Sequence, residues 1–136
     1  MCPPSVLFLC VHNAGRSQMA AGLLRSLAGE QIEVLSAGSD PADSINPASV
    51  AVMAEKGIDI SDTTPRAWTD GMLGSADVIV TMGCGDTCPF IPGKRNLDWK
   101  LDDPSGKSVE EVREIRDQIE RRVRELMTEL GVGSDT

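Results

Sequence analysis

Short apolar runs alternate with helix-like stretches along this chain. Four runs are typical of buried or half-buried strands, because they are short, apolar and bounded by polar or turn-forming residues. They comprise residues 6–9, 32–38 and 78–82, with a weaker run at 96–99. The pattern therefore predicts four strands, with helices between and after them.

Helical spacing and capping signals place the first two helices. One begins near Ser17, and Asn46 can cap another that has Pro47 at its first position and Gly57 as its stop. The apolar face predicted for the first helix is formed by Met19, Ala20, Leu23, Leu24 and Leu27. The inner face predicted for the second is formed by Val50, Met53 and Ala54.

Two further helices complete the pattern. A short one is plausible at 68–73, and Ser108 with Glu111 three residues on is a capping-box signal for a long helix. The apolar face predicted for that helix comprises Val109, Val112, Ile115, Ile119, Val123, Leu126 and Leu130. Alternating strands and helices predict an α/β fold: a four-stranded parallel sheet covered by helices on both faces, in three layers.

The loop after the first strand carries the strongest chemical signal. Cys10 and Arg16 stand with five residues between them, where the chain turns from strand to helix. In such a turn the backbone N–H groups of 11–15 (Val11, His12, Asn13, Ala14 and Gly15) and the helix N-terminus can form an anion-binding cradle. Arg16 can grip two oxygens of a tetrahedral oxyanion. Cys10, with Ser17 as a hydrogen-bond donor, is the expected thiolate nucleophile beneath it.

Composition narrows the class of protein. The chain has 136 residues, so we expect one domain over 1–136. Its formal net charge of −8 makes nucleic acid or an anionic membrane an unexpected partner. No apolar run has the length of a membrane helix, and no secretory signal is evident, which predicts a cytoplasmic protein with reduced thiols. A Walker-type phosphate loop is excluded because no Gly-Lys-Ser/Thr follows the glycine.

Two more cysteines, Cys84 and Cys88, follow the third strand four residues apart. On a helical turn that spacing suits a disulfide, and Gly83 and Gly85 allow unusual backbone angles, so Cys84 could reach Cys10 in one state and Cys88 in another. Two buried small side chains, or a zinc site shared with His12, are the alternatives. The second is disfavoured because the spacing is not C-x2-C.

Asp103 and His12 are further candidates near the same sheet edge. The loops after the strands are expected to converge there, since ligands of open α/β sheets bind at the carboxyl ends of strands. Asp103, before Pro104, is either a turn residue or an acid that protonates a leaving oxygen. His12, the single histidine, is expected to serve loop packing rather than proton transfer.

With these motifs in place, the chain resembles the arsenate reductases of the low-molecular-weight tyrosine phosphatase fold. The resemblance extends over roughly residues 5–130 and is carried by the loop from Cys10 to Ser17 with its flanks, Cys84, Cys88-Pro89 and the stretch from Trp99 to Pro104. The cysteine pair distinguishes the reductases from plain phosphatases in that fold.

The resemblance implies a mechanism and partners. Cys10 attacks arsenate held by the loop and Arg16, Asp103 assists loss of water, and Cys84 then Cys88 carry a thiol–disulfide relay. An external thiol system, thioredoxin or else mycothiol, restores the enzyme, and neither a metal nor an organic cofactor is needed. Some members hold potassium through an acidic residue where this chain has Ala21, so no such site is expected.

Three other functions could use the same residues. A phosphatase for phosphotyrosine or a small phosphoester would use Cys10, Arg16 and Asp103 and leave Cys84 and Cys88 idle, although the chain lacks the tyrosines that commonly flank a phosphotyrosine pocket. A member that passes arsenate to mycothiol would be a transferase. A non-catalytic arsenic sensor is disfavoured because no DNA-reading element or basic patch is visible.

Overall fold

The computed structural model describes residues 3–83 and 91–132. Within these ranges the chain forms four strands and four α-helices, with a short 3₁₀ helix at Gly29–Gln31. In chain order they are β1 (Ser5–Cys10), α1 (Arg16–Ala28), β2 (Glu33–Gly38), α2 (Pro47–Ala54), α3 (Asp70–Ser75), β3 (Val78–Thr81), β4 (Arg95–Asp98) and α4 (Val109–Glu129).

The strands form one parallel sheet in the order β2-β1-β3-β4. The central strand β1 is buried along its whole length, as its uninterrupted apolar run predicts. Its register pairs Val6 with Val34 of β2 and with Val78 of β3. The predicted four-stranded parallel sheet is confirmed.

Alternate residues of β1 face two different hydrophobic clusters, because side chains of a strand point to opposite faces in turn. Val6, Phe8 and Cys10 belong to the cluster formed with α1, α2 and α4, whereas Leu7 and Leu9 pack on the side of α3. Helices therefore cover both faces, in three layers. The period of two also turns the Cys10 side chain towards α1.

The capping signals of the sequence are present in the structure. Asn46 Oδ1 accepts from the N–H of Ser49 at 3.0 Å, with Pro47 at the first position of α2. Ser108 Oγ accepts from the N–H of Glu111 at 3.2 Å, and Glu111 Oε1 accepts from the N–H of Ser108 at 3.2 Å. Each cap satisfies backbone donors that the helix start leaves open, which fixes where α2 and α4 begin.

Two predicted apolar faces need correction. In α2, Ala54 is exposed and Val50 only half-buried, while Ser49, Val52 and Met53 face inwards. Apolar residues occupy nearly every position of this short helix, so spacing alone could not choose the face. Val109 is 37% exposed because it is the first residue of α4, at the margin of the packed layer.

None of the helices in residues 3–83 and 91–132 combines the length and apolar character that a membrane crossing requires.

Candidate active site

The turn from β1 to α1 exposes one side of its backbone to a pocket. The backbone carbonyls of residues 10–14 all accept hydrogen bonds from residues outside this stretch. Four of the five donors belong to the segment 39–46, and the fifth is the side chain of Gln18. The bonds are Ser39 N to Cys10 O at 3.2 Å, Asp40 N to Val11 O at 2.8 Å, Ala42 N to His12 O at 3.0 Å, Gln18 Nε2 to Asn13 O at 3.1 Å and Asn46 N to Ala14 O at 2.8 Å. Because a trans peptide unit points its N–H opposite to its C=O, the N–H groups of 11–15 are directed to the other side of the loop.

Cys10 lies on that inner side, and its side chain is buried. The N–H of Asn13 donates to Cys10 Sγ at 3.2 Å, and Ser17 Oγ lies 2.9 Å from the same sulfur. Cys10 itself is 2% exposed. Hydrogen bonds to an anionic sulfur stabilise the thiolate, which is the nucleophilic form of cysteine.

The start of α1 adds open donors to the same place. Gly15 stands at the N-cap and provides no side-chain cap for the first turn. The first N–H groups of a helix lack intrahelical acceptors, and they carry the positive end of the helix dipole. An anion in this pocket can therefore accept hydrogen bonds from these N–H groups, as a capping side chain would otherwise do.

Asn13 holds the loop in an unusual conformation. Its φ is +51°, the left-handed region that asparagine tolerates better than most residues. Asn13 Nδ2 donates to Ser17 Oγ at 2.7 Å, and Asn13 Oδ1 accepts from the backbone N–H of Arg66 at 3.0 Å and from Gln18 Nε2 at 3.1 Å. These bonds fix Asn13, which is fully buried.

Arg16 is buried beside the cradle. The residue is 5% exposed, and its Nη1 donates to the carbonyl of Leu101 at 3.2 Å. A Cβ on Gly83, whose φ is +80°, would overlap Arg16 Nη1. Only glycine at position 83 therefore leaves room for the guanidinium in this position.

Asp103 stands beside this guanidinium. Its Oδ2 lies 3.8 Å from Arg16 Nη2, its side chain is 47% exposed, and its Oδ1 accepts from the N–H of Ser105 at 3.0 Å. Pro104 packs against Gly15 so closely that a Cβ on Gly15 would overlap Pro104 Cγ. The loop that carries Asp103 is thereby docked onto the Cys10 loop.

Together these groups enclose a pocket of about 210 Å³. Its lining comprises Cys10, His12, residues 14–16, Ala42, residues 44–47 and residues 103–105. Phe, Trp and Tyr are absent from these lining residues, and the volume is sufficient for a small tetrahedral oxyanion.

His12 lies at the rim rather than against the sulfur. Its Nδ1 is 3.0 Å from the carbonyl of Asp40, in the segment that also binds the carbonyls of Val11 and His12 itself. This placement fits the expected role in loop packing.

Sequence reasoning named the loop, Cys10, Arg16, Ser17 and Asp103, and the structure brings these together. It missed Gln18 and Arg66, which hold Asn13 in place. Arg66 is brought to Asn13 only by the tertiary fold, and no local sequence pattern identifies it. Cys84 and Cys88 lie outside the described residues, and so does the alternative zinc site that would have combined them with His12.

Comparison with known proteins gives a consistent result. The family model described as low molecular weight phosphotyrosine protein phosphatase matches residues 5–134. An arsenate reductase of Brevibacillus brevis is 39% identical over 125 residues, covering 90% of this chain and 92% of that protein. The glutaredoxin arsenate reductase of Synechocystis sp. is 35% identical over 128 residues, covering 92% of this chain and 97% of that protein.

The solved structures agree with the sequence relatives. The thioredoxin-dependent arsenate reductase of Corynebacterium glutamicum superposes with a TM-score of 0.84 at 46% identity over 95% of this chain. The present chain spans only 62% of the length of that protein. The resemblance inferred from the cysteine loop is thus confirmed, and the chain belongs to the low molecular weight phosphotyrosine protein phosphatase family.

Proposed function

We propose that the protein reduces arsenate to arsenite, with Cys10 as the nucleophile. The observation that carries this proposal is the loop of residues 10–14, whose tethered carbonyls direct its N–H groups towards the Cys10 sulfur. Such a cradle stabilises a tetrahedral oxyanion directly above a thiolate. The arsenate reductases among the similar proteins support arsenate as the substrate.

The first step joins arsenic to sulfur. The Cys10 thiolate attacks arsenate, an S–As bond forms, and one arsenate oxygen leaves as water while arsenic remains As(V). Arg16, at the pocket mouth, binds the arsenate oxygens, since a guanidinium matches two oxygens at once. Asp103, on the same side of the pocket, supplies the proton to the departing oxygen.

The second step transfers the electrons. The Cys84 thiolate attacks Cys10 Sγ, an S–S bond forms, and the electron pair of the S–As bond passes to arsenic, which leaves as arsenite, As(III). Cys88 then attacks Cys84, which frees Cys10 and leaves a Cys84–Cys88 disulfide. Both cysteines lie outside the described residues, and the roles proposed for them rest on the family resemblance.

An external dithiol completes the cycle by reducing that disulfide and becoming a disulfide itself. We propose thioredoxin for this role, because a similar solved structure is named thioredoxin-dependent. The name of another relative points to glutaredoxin, and mycothiol is a further candidate. A cycle through free thiols needs a reducing compartment such as the cytoplasm.

A coupled assay tests the proposal. NADPH oxidation is followed with arsenate, thioredoxin and thioredoxin reductase, and hydrolysis of p-nitrophenyl phosphate is measured in parallel. Wild-type protein is expected to turn over arsenate. Cys84→Ser should abolish that turnover and retain aryl phosphate hydrolysis, because phosphate transfer needs only the Cys10 pocket. Cys2→Ser, at a position with no assigned role, is the matched control.

The other outcomes identify the rivals. Efficient aryl phosphate hydrolysis without arsenate turnover under any of the three thiol systems would make the protein a phosphatase, which the family and the pocket geometry also accommodate. Loss of both activities in folded Cys84→Ser would refute the relay. Stoichiometric capture of arsenite without turnover would indicate a sensor. Replacing thioredoxin by glutaredoxin with glutathione, or by mycothiol, identifies the reductant.

A further inference from the structure

A second polar pocket of about 300 Å³ lies at the β2 edge of the sheet. It is lined by Gln18, Arg25, Ser36, Thr63, Thr64 and Arg66, and it shares no lining residue with the Cys10 pocket. Nothing in the reaction proposed above uses it. Two of its six lining residues carry a full positive charge, and none carries a negative one.

Both arginines are oriented by the edge strand. Arg25 Nη2 donates to the carbonyl of Val34 at 3.0 Å, and Arg66 Nε donates to the carbonyl of Ser36 at 3.2 Å. These carbonyls are two residues apart and belong to the same edge of β2, so the two guanidiniums are aligned side by side along it. The bonds cap the open edge of the sheet, yet each uses only one of the five N–H donors of a guanidinium.

Neither arginine of this pair has a carboxylate partner in the described part of the chain. Partial burial lowers the pKa of Arg25, and the neighbouring charge of Arg66 lowers it further. Two cations that repel each other beside a polar hollow, on a chain with a net charge of −8, create a local preference for an anion.

We propose that the Arg25–Arg66 pocket binds a small inorganic oxyanion, such as sulfate or phosphate, as a second site separate from Cys10. Two planar guanidiniums can each offer paired N–H donors to such an ion. Thr64, exposed like both arginines, adds a hydroxyl at the rim. The site does not depend on arsenate being the substrate.

The second site adjoins the machinery of the first. Gln18 lines the second pocket and donates to Asn13, and the backbone N–H of Arg66 donates to Asn13 Oδ1. An anion bound by the Arg66 side chain therefore also holds Arg66 in place, and the backbone N–H of Arg66 orients Asn13. Binding there is expected to stabilise the folded protein, because a ligand of the native state shifts the unfolding equilibrium.

The test is an NMR titration of the full chain with sodium sulfate, which cannot be reduced by the enzyme, at constant ionic strength set with sodium chloride. We expect two sets of shifts with separate dissociation constants. One set comprises the backbone amides of 11–16, and the other the Nε–Hε signals of Arg25 and Arg66. Phosphate should reproduce both sets.

Variants assign the second set. Arg66→Gln keeps the backbone N–H that Asn13 uses, so it should weaken the second set about tenfold or more while the amides of 11–16 still titrate. Arg25→Gln should do the same and serves if Arg66→Gln does not fold. Arg121→Gln, exposed on α4 near the opposite sheet edge, removes one positive charge elsewhere and should leave both sets intact.

Any of three results would overturn the proposal. The Arg25 and Arg66 signals could fail to move with sulfate, or they could move equally with chloride at matched ionic strength. A second set that survives in both Arg66→Gln and Arg25→Gln would place the ion elsewhere. Each result is independent of arsenate turnover, so failure here leaves the proposed function untouched.

Discussion

The backbone N–H of Arg66 donates to Asn13 Oδ1 at 3.0 Å, across 53 positions of sequence. Because a backbone N–H can only donate, this bond identifies which end of the Asn13 amide is the oxygen. Asn13 Nδ2 then faces Ser17 Oγ, which accepts at 2.7 Å, and Ser17 Oγ lies 2.9 Å from Cys10 Sγ. When Cys10 is a thiolate, which can only accept, Ser17 donates to it, and a chain of hydrogen bonds with one direction runs from Arg66 to the sulfur.

Removal of the last donor in this chain tests that direction. Ser17→Ala should slow the alkylation of Cys10 at neutral pH, because the sulfur loses a hydrogen-bond donor. A hydrogen bond to a charged group contributes about 1.5–3 kcal/mol, so we expect the rate to fall by roughly tenfold. Iodoacetamide kinetics at neutral pH would measure this in a background with Cys2, Cys84 and Cys88 changed to serine.

Ser26→Ala, exposed on the same helix, is the control and should leave the alkylation rate unchanged. An equal or higher rate in Ser17→Ala would show that Ser17 does not donate to the thiolate, while the bonds that Asn13 accepts from Arg66 and donates to Ser17 would keep their direction.

Asn13 combines a left-handed backbone with buried hydrogen bonds, and two substitutions separate these contributions. Asn13→Ala should lower the free energy of unfolding by about 3 kcal/mol, from unpaired buried groups and a strained φ. Asn13→Gly loses the same bonds but tolerates the φ of +51°, so it should be about 1 kcal/mol more stable than the alanine variant. Urea unfolding of both variants measures the difference. Equal stability of the two would mean that the backbone at residue 13 carries no strain.

Glu55 joins the end of α2 to α4 through an acid-sensitive ion pair. Its Oε1 accepts from Arg113 Nε at 2.9 Å and from Arg116 Nη1 at 2.7 Å. The hydrogen bonds from Arg113, then those from Arg116, lower the pKa of Glu55 from 4.5 to about 2. A carboxyl whose pKa is depressed by folding stabilises the native state above its unfolded value, and this contribution is lost as the pH falls towards the folded value.

The stability gap between wild-type protein and Glu55→Gln should therefore be constant near neutral pH, shrink below about pH 4.5 and vanish near pH 2. Urea unfolding at a series of pH values measures it. Glu114→Gln, exposed on α4, controls for the loss of one negative charge. A gap that persists undiminished at pH 2 would show that the ionised carboxylate is not what joins the helices.

Local sequence signals were sufficient to predict the strands and helices and the loop from Cys10 to Arg16. The caps at Asn46 and Ser108, the buried run of β1 and the Cys10–Arg16 spacing each depend on residues close together in the chain. These features depend on interactions between residues close in sequence, so they can be predicted from the sequence.

The remaining parts of the site depend on tertiary contacts. Arg66 reaches Asn13, and the carbonyl of Leu101 orients Arg16 from 85 positions away, only after the sheet has formed. The pairing of Arg25 with Arg66 likewise requires β2 to bring them together. Neither the spacing nor the type of these residues in the sequence predicts such long-range contacts.

Gly83 offers a sharp test of the position of Arg16, because the chain contains a matched control. Gly83→Ala would place a methyl group on Arg16 Nη1, whereas a methyl group on Gly93, with a similar φ of +85° against +80°, would meet no atom within 4 Å. Both variants carry the same backbone strain, and only the first displaces the guanidinium. We expect kcat/KM for arsenate to fall about 100-fold in Gly83→Ala, as for a misplaced binding group, and to stay near the wild-type value in Gly93→Ala. Sulfate titration of the 11–16 amides should weaken in parallel. Equal kcat/KM in the two variants would mean that the position of Arg16 does not govern oxyanion binding.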